Sequence, residues 1–333
     1  MFLALESGFK PEEILFTGTS VREDEIIRLK EWNILINIDS LSQARKILGE
    51  EAPEKISVRL NPEIGAGHHE HVITAGPHSK FGLSFENALE ALEIAVESGV
   101  ENFGVQMHIG SGMLDFTPFY ATLENFLSLI GEIVISLDIE FDFIDIGGGL
   151  GVPYRPEENP AEIGKFANQV VNVFKRKCYE YRLNEPELWL EPGRYLVADA
   201  GILVTRANTI KKTAEKHFCG VDAGMNTSIR PALYGSYHHI LVANKLDHSN
   251  ERSYDVVGPI CESSDFFAKD RLFPKIEEGD VLAILSSGAY GFSMTSQYNS
   301  RPRPPEILVR GREYKEIRRR ETLQDLIKNQ IMN

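Results

Sequence analysis

Phe143-Ile144-Asp145-Ile146-Gly147-Gly148-Gly149-Leu150-Gly151-Val152-Pro153-Tyr154 is the stretch on which the reading of the whole chain turns. Alternating apolar residues run into three consecutive glycines and then a proline, the pattern of a buried strand that ends in a loop. Glycines in a row leave backbone N–H groups with no side chain in front of them, so an anion can approach closely. Phosphate is the usual ligand of such a nest. No Lys-Ser or Lys-Thr pair follows, as a nucleotide P-loop requires, and the G-x-G-x-x-G dinucleotide pattern is absent. On this stretch alone, phosphate binding and a plain tight turn both stay open.

Outward from it, the chain alternates. Strands are predicted at Ile14–Thr17, Ile34–Ile38, Ile56–Leu60, Phe103–His108, Phe141–Ile146 and Leu188–Leu190. Helical patterns lie between most of them, at Arg22–Glu31, Ser42–Leu48, Phe85–Ser98, Pro118–Val134 and Pro160–Tyr181. This is the signature of a parallel sheet with crossover helices. Six strand–helix units are visible where a (β/α)8 barrel has eight, and barrels place their chemistry at the C-terminal ends of the strands. Met1–Phe9 reads as the last turns of a helix closed by Gly8, as if the fold were already under way. If two units precede it, the glycine triplet follows strand seven, where a barrel binds phosphate.

From about Leu196 the pattern changes to short β segments at Ile202–Thr205, Phe218–Val221, Ser253–Val257, Val281–Leu285 and Glu306–Val309, with a closing helix over residues 322–332. The division expected is a partial barrel over residues 1–197 and a β-domain over 198–333. The connection Asn61–Gly82 is long for a compact domain, which marks it as functional.

The 333 residues are 42% hydrophobic and carry a formal charge of −14, which argues against nucleic acid or an anionic membrane as partner. No run of eighteen apolar residues and no basic-then-apolar leader is seen. Cys178, Cys219 and Cys261 are scattered and odd in number, as expected in a reducing cytoplasm. His68, His69, His71 and His78 match no standard metal spacing, so no metal is expected.

Polar residues gather at strand ends. His108-Ile109-Gly110-Ser111-Gly112 ends the fourth strand, and Glu191-Pro192-Gly193-Arg194 the sixth. A lone His or a Glu/Arg pair is commonly a satisfied polar residue or a weak surface ion pair. Beside a phosphate loop, His108 can instead stack on a planar cofactor with Ser111 near its phosphate. Glu191 could keep a ring nitrogen protonated, as a pyridoxal phosphate electron sink requires, and Arg194 suits a bidentate grip on a carboxylate or phosphate. Cys261, flanked by Glu262 and Asp265, is disfavoured as a thiolate and suits a neutral proton donor. Arg230–Tyr234 and Gly288–Gly291 place further Arg and Tyr groups on turns.

Read in order, H-I-G-S-G, D-I-G-G-G-L-G-V-P-Y, E-P-G-R, D-A-G-M-N, R-P-A-L-Y-G-S-Y-H-H-I, G-P-I-C-E-S-S-D and G-A-Y-G-F-S-M resemble diaminopimelate decarboxylases, across essentially the whole chain. These are fold-type III pyridoxal 5′-phosphate (PLP) carboxy-lyases with an alanine-racemase-like barrel and a β-domain. The resemblance implies decarboxylation of meso-2,6-diaminopimelate to L-lysine and CO2, the last step of lysine biosynthesis, in a homodimer with shared active sites. It implies that His108 stacks on the PLP ring, that Ser111, Gly147, Gly148, Gly149 and Arg194 serve its phosphate region, and that Glu191 pairs with its pyridine nitrogen. Arg194, Arg230, Tyr234, Glu262 and Tyr290 would contact substrate, and Tyr290 the PLP phosphate as well. Cys261 would act from the partner subunit as proton donor after CO2 departs, with Glu262 beside it.

Ornithine decarboxylases of the same fold resemble the chain around His108 and Gly147–Gly149, but typically carry Cys-Asp where this chain has Cys261-Glu262, and lack the Arg230–Tyr234 pattern. The chain departs from the family at one point. The Schiff-base lysine, in a Tyr-x-x-Lys-Ala-Asn type motif upstream of everything seen here, has no counterpart, and Lys80 sits in an unrelated loop motif. The expectation is that about 60–80 residues, at about 30 per strand–helix unit, precede the sequence given, or that the chain is a non-catalytic homologue regulating a partner subunit. A same-fold decarboxylase of ornithine or carboxynorspermidine is the remaining alternative.

Overall fold

A computed structural model describes residues 1–49, 51–62 and 79–331. The four histidines at 68, 69, 71 and 78 therefore lie outside the described residues, as does most of the 61–82 connection. The chain forms two compact units, Met1–Gly151 with Pro160–Gly193, and Val152–Asn159 with Arg194–Asn333.

The first unit is a parallel sheet of β1 (Leu15–Phe16), β2 (Leu35–Ile38), β3 (Lys55–Arg59), β4 (Asn102–Gln106), β5 (Phe143–Asp145) and β6 (Glu187–Trp189). The strands pair strictly in sequence order. A doubly wound sheet reverses its order at a switch point, whereas a barrel wall does not, so this is six units of barrel wall. The helices are α1 (Phe2–Glu6), α2 (Glu23–Glu31), α3 (Leu41–Ile47), α4 (Phe85–Glu97), α5 (Thr117–Leu137) and α6 (Ile163–Tyr181). Gly8 follows α1 with φ +94°, the left-handed conformation expected of a helix-closing glycine. Side-chain caps set the starts of α3 and α4, where Ser40 and Ser84 accept from Gln43 and Asn87 N–H at 3.3 and 3.4 Å.

Strand periodicity separates the two faces of the sheet. Ile38, Val58, Val105, Ile144 and Leu188 form one register row, and Ile36, Ile56 and Phe103 another, packed in the core with the helices. The opposite face carries the rows Asn37–Ser57–Gly104–Phe143 and Arg59–Gln106–Asp145–Trp189. A Cβ on Gly104 would collide with the Phe143 ring, which stacks on Trp189 at 3.8 Å between centroids. Helix α5 is long and apolar enough, by length and composition, to cross a membrane. Its Phe119, Leu123, Phe126, Leu127, Ile130 and Ile133 are instead buried in this core.

In the second unit, α7 (Gly193–Val197) leads into β7 (Leu203–Lys212), β8 (His217–Val221), α8 (Arg230–Tyr234), β9 (Ile240–Val242), β10 (Arg252–Val257), β11 (Phe266–Phe273) and β12 (Val281–Ile284). The sheet order is β11-β10-β8-β7-β12-β9, antiparallel except between β8 and β10. A separate hairpin of β13 (Glu306–Arg310) and β14 (Glu313–Arg318) turns at Gly311, φ +61°. A one-turn helix, α9 (Leu323–Ile327), replaces the helix expected over residues 322–332. Arg230–Tyr234, expected on a turn, is the short helix α8, started by Pro231 and closed by Gly235 at φ +62°.

Candidate active site

Each unit carries one cluster of functional groups. In the first, the loops after β4, β5 and β6 meet at the C-terminal ends of the strands. Gly147 and Gly149 have φ +71° and +101°, and all three glycines of the triplet leave no room for a side chain. A Cβ on Gly147 would strike the Met107 carbonyl, one on Gly148 the Glu191 carbonyl, and one on Gly149 the Gly110 carbonyl. Backbone bonds lock the loops together: Met113 N–H donates to Gly149 O at 2.9 Å, and Glu191 N–H to Gly147 O at 2.9 Å.

Gly148 N–H donates to His108 Nδ1 at 3.2 Å, so that nitrogen is the acceptor and the proton resides on Nε2. Burial and the nearby Arg59 push the imidazole down to about 4, which keeps the ring neutral. A neutral flat ring can lie against a pyridine without charge repulsion.

The carboxyls of Asp145 and Glu191 lie close enough to influence each other's titration. Asp145 Oδ1 also accepts from Gly147 N–H at 2.8 Å. Gln106 Nε2–H donates to Glu191 Oε2 at 3.0 Å, and Asn37 Nδ2–H donates to Gln106 Oε1 at 3.1 Å. Asp145 is 1% exposed, and burial beside Glu191 pushes it up to about 7. Glu191 stands at the rim with an open edge, though its carboxyl reaches in to these partners. Burial pushes the Glu191 carboxyl up as well, with the Gln106 amide and the nearby Arg59 opposing that shift.

The second unit gathers Arg194, Arg230, Tyr154, Tyr234 and Tyr290. Arg194 Nη1–H donates to the Tyr154 hydroxyl at 2.7 Å, and its guanidinium lies 4.8 Å from the Tyr290 ring. The Arg230 guanidinium lies 5.7 Å from Tyr154, 5.6 Å from Tyr234 and 5.7 Å from Tyr290. Arg230 is 7% exposed, donates to Ser236 Oγ at 3.3 Å, and its Nε is buried with no acceptor among the described residues. No carboxylate among the described residues lies within ion-pair distance of it. Beside it, His238 Nδ1 faces the Leu285 carbonyl at 2.9 Å, and burial pushes this ring down to about 4.

Cys261 and Glu262 sit exposed on a loop whose organiser is the buried Asp265, accepting from Met225 and Ile260 N–H at 2.6 and 2.7 Å. Cys261 N–H donates to Asn299 Oδ1 at 2.8 Å, and the Tyr298 hydroxyl donates to Glu262 at 3.2 Å. Among the described residues, no group of three or more His, Cys, Asp or Glu could hold a metal.

Sequence reasoning gave no role to Arg59, Gln106, Tyr154, His238 or the Asp145 carboxyl. The available signal was polar residues at inward positions of otherwise apolar strands, Ile-Ser-Val-Arg and Phe-Gly-Val-Gln, where burial demands a partner.

Residues 1–198 match the family described as pyridoxal-dependent decarboxylase, pyridoxal binding domain. The chain is 52% identical over 333 residues to diaminopimelate decarboxylase of Methanothermobacter thermautotrophicus, covering 99% of this chain and 77% of that one. Among solved structures, diaminopimelate decarboxylase of Helicobacter pylori complexed with L-lysine superposes with a TM-score of 0.88 at 38% identity, covering 98% of this chain and 80% of that one. The enzyme of M. jannaschii in co-complex with L-lysine gives 0.89 at 36%, covering 100% and 77%. A six-unit barrel wall with a glycine triplet, a neutral histidine and an acid pair at its strand ends is thus the pyridoxal-binding half of a decarboxylase, and its cofactor is pyridoxal 5′-phosphate. The cradle fits that group, since no side chain can enter the glycine triplet and the acids Asp145 and Glu191 stand at the same strand ends. Within that class the chain belongs to the diaminopimelate decarboxylase family.

Proposed function

We propose that these residues serve the decarboxylation of meso-2,6-diaminopimelate to L-lysine and CO2. Pyridoxal phosphate, when bound, supplies the sink for the electron pair left by the departing carboxylate. On this reading Glu191 holds a proton at the ring nitrogen, His108 lies against the ring, and Ser111 with Gly147–Gly149 receives the phosphate. Arg194 and Tyr290 complete the phosphate and substrate contacts. Arg230 and Tyr234 grip a substrate carboxylate, Glu262 a substrate amine, and Cys261 delivers the proton that replaces CO2.

The observation that carries the substrate class is Arg230. A buried guanidinium with an orphaned Nε and no carboxylate partner among the described residues is costly unless a ligand anion completes it. A substrate with two carboxylates can offer one there besides the one it loses, whereas ornithine has only the latter. The assembly proposed is a cytoplasmic homodimer in which Cys261 and Glu262 act across the interface. Their exposed positions and the three free cysteines support it.

Turnover of meso-diaminopimelate, ornithine and carboxynorspermidine, compared side by side with PLP present, tests the substrate. Lysine and CO2 from meso-diaminopimelate is the expected result, and preference for either of the others overturns the assignment.

A further inference from the structure

Gln106 and Asn37 are buried amides on the polar face of the parallel sheet, at 1% and 0% exposure, and neither has a place in the chemistry proposed above. They stand on β4 and β2, strands that are not neighbours, yet Asn37 Nδ2–H donates to Gln106 Oε1 at 3.1 Å. Neighbouring strands lie about 4.8 Å apart, so this bond spans β3, whose residue in the Asn37 row is the small Ser57. Gln106 reaches past β5 as well, its Nε2–H donating at 3.0 Å to Oε2 of Glu191, which follows β6. At the other end Asn37 Nδ2–H donates at 3.3 Å to Oγ1 of Thr17, directly after β1. A line of hydrogen-bonded side chains thus crosses the wall from its first strand to its sixth.

The direction of the line is set at its carboxyl end. A carboxylate can only accept, so Gln106 turns its NH2 to Glu191, its oxygen faces Asn37, and Asn37 must present NH2 in turn. Apolar side chains at 37 and 106 would fill the same space without demanding partners, and among the described residues the Asn37 oxygen has none. Stability alone therefore gives no reason for the pair. The other groups near Glu191 are held elsewhere: the Arg59 guanidinium lies 4.8 Å from the Phe81 ring, and Asp145 Oδ1 accepts from Gly147 N–H at 2.8 Å. We propose that Gln106 is a positioning residue for Glu191, and that Asn37 fixes Gln106 in its turn. This deepens the role given above to Glu191 at the ring nitrogen, and rests on it. Gln106 engages Oε2 from within the sheet and so fixes the rotation of the carboxylate about its last bond. A carboxylate held on rigid strands meets a ring nitrogen without first losing that freedom, and the contact is stronger for it.

The test compares pyridoxal phosphate with its deaza analogue, in which C–H replaces the ring nitrogen, by calorimetric titration of the full chain. An acid at the ring nitrogen should give wild type a preference of about tenfold or more for pyridoxal phosphate. Gln106→Met, similar in volume but unable to donate, should cut that preference to about threefold or less and leave affinity for the deaza analogue within about twofold. Asn37→Leu, which reaches Glu191 only through Gln106, should lower the preference too, and the double variant should be no worse than Q106M alone. A preference retained in Q106M, losses that add in the double variant, or equal weakening of both ligands, the mark of a merely structural role, overturns the proposal. Should a single variant fail to fold, the double variant, which leaves no orphaned partner between positions 37 and 106, carries the same comparison. A wild type that does not distinguish the two ligands overturns the role of Glu191 and the proposal with it, whereas a preference retained in Q106M overturns the proposal alone.

Discussion

Replacing Gly147 with alanine should be among the most damaging single-methyl changes available to the first unit. Its φ of +71° costs a non-glycine residue about 1–2 kcal/mol. The added Cβ would also strike the Met107 carbonyl and crowd His108, and a backbone carbonyl at the end of a sheet strand cannot swing aside as a flexible side chain can. Overpacking of that kind adds about 1–3 kcal/mol, for a total of about 2–5. Gly99 supplies the control inside the same unit: its φ is +83°, but nothing lies within 4 Å of its would-be Cβ. Gly99→Ala should therefore cost the conformational part alone, about 1–2 kcal/mol. The chain has two tryptophans, Trp32 and Trp189, and both belong to the first unit. Indole fluorescence in a urea titration thus follows that unit without interference from the other. The midpoint should fall further for G147A than for G99A, with m unchanged in both. Equal shifts would refute the steric argument and reduce the triplet to a backbone preference.

Other expectations follow from single contacts. His108 titrates at about 4 when folded, below the ordinary histidine value near 6.5, so between those values the unfolded chain binds a proton that the folded chain refuses. Its contribution is intact above about pH 6.5 and is lost as pH falls toward 4; His108→Asn should flatten the acid limb of first-unit stability by about one proton, and an unchanged limb would mean His108 is not held neutral. Arg230→Lys keeps the charge but discards the planar fork, so affinity for meso-diaminopimelate, measured by calorimetry, should fall about tenfold or more, and an unchanged value would remove Arg230 from the substrate contacts. Asp265→Ala leaves the Ile260 and Met225 N–H groups buried without an acceptor, at about 1–3 kcal/mol each; amide hydrogen exchange should speed up at both, and unaltered protection would show that other contacts hold the cysteine loop.

The barrel wall was legible because its strands alternate with amphipathic helices, so periodicity locates them: Ile56–Leu60 was expected and Lys55–Arg59 is found. The second unit was less so. Strand β11, Phe-Phe-Ala-Lys-Asp-Arg-Leu-Phe, carries three consecutive charged residues at its middle, and Asp270 there takes φ +48° where the pairing with β10 is irregular. Such a bulge resets the in–out alternation on which a strand is recognised. Strand β14, Glu-Tyr-Lys-Glu-Ile-Arg, is exposed throughout, so nothing constrains either of its faces to be apolar. In both cases the long-range pairing, which no local pattern records, made the strand.

The site divides along the same line. Glycines advertise themselves because only backbone geometry explains three in a row, and the triplet was identified at once. Gln106 and Asp145 did not, because a polar residue in a strand reads as a solvent-facing position until the register is known. The register places Arg59, Gln106 and Asp145 side by side on a face that is nevertheless buried, Gln106 and Asp145 each at 1% exposure. Buried polar groups must find partners within the protein, and the partners available are one another and Glu191. The chain Asn37–Gln106–Glu191 with Asp145 at its side is therefore what burial imposes on that register. On the role proposed for Glu191 at the ring nitrogen, its carboxyl is oriented beforehand by Gln106, itself held by Asn37, so less reorganisation is left for the moment of proton transfer.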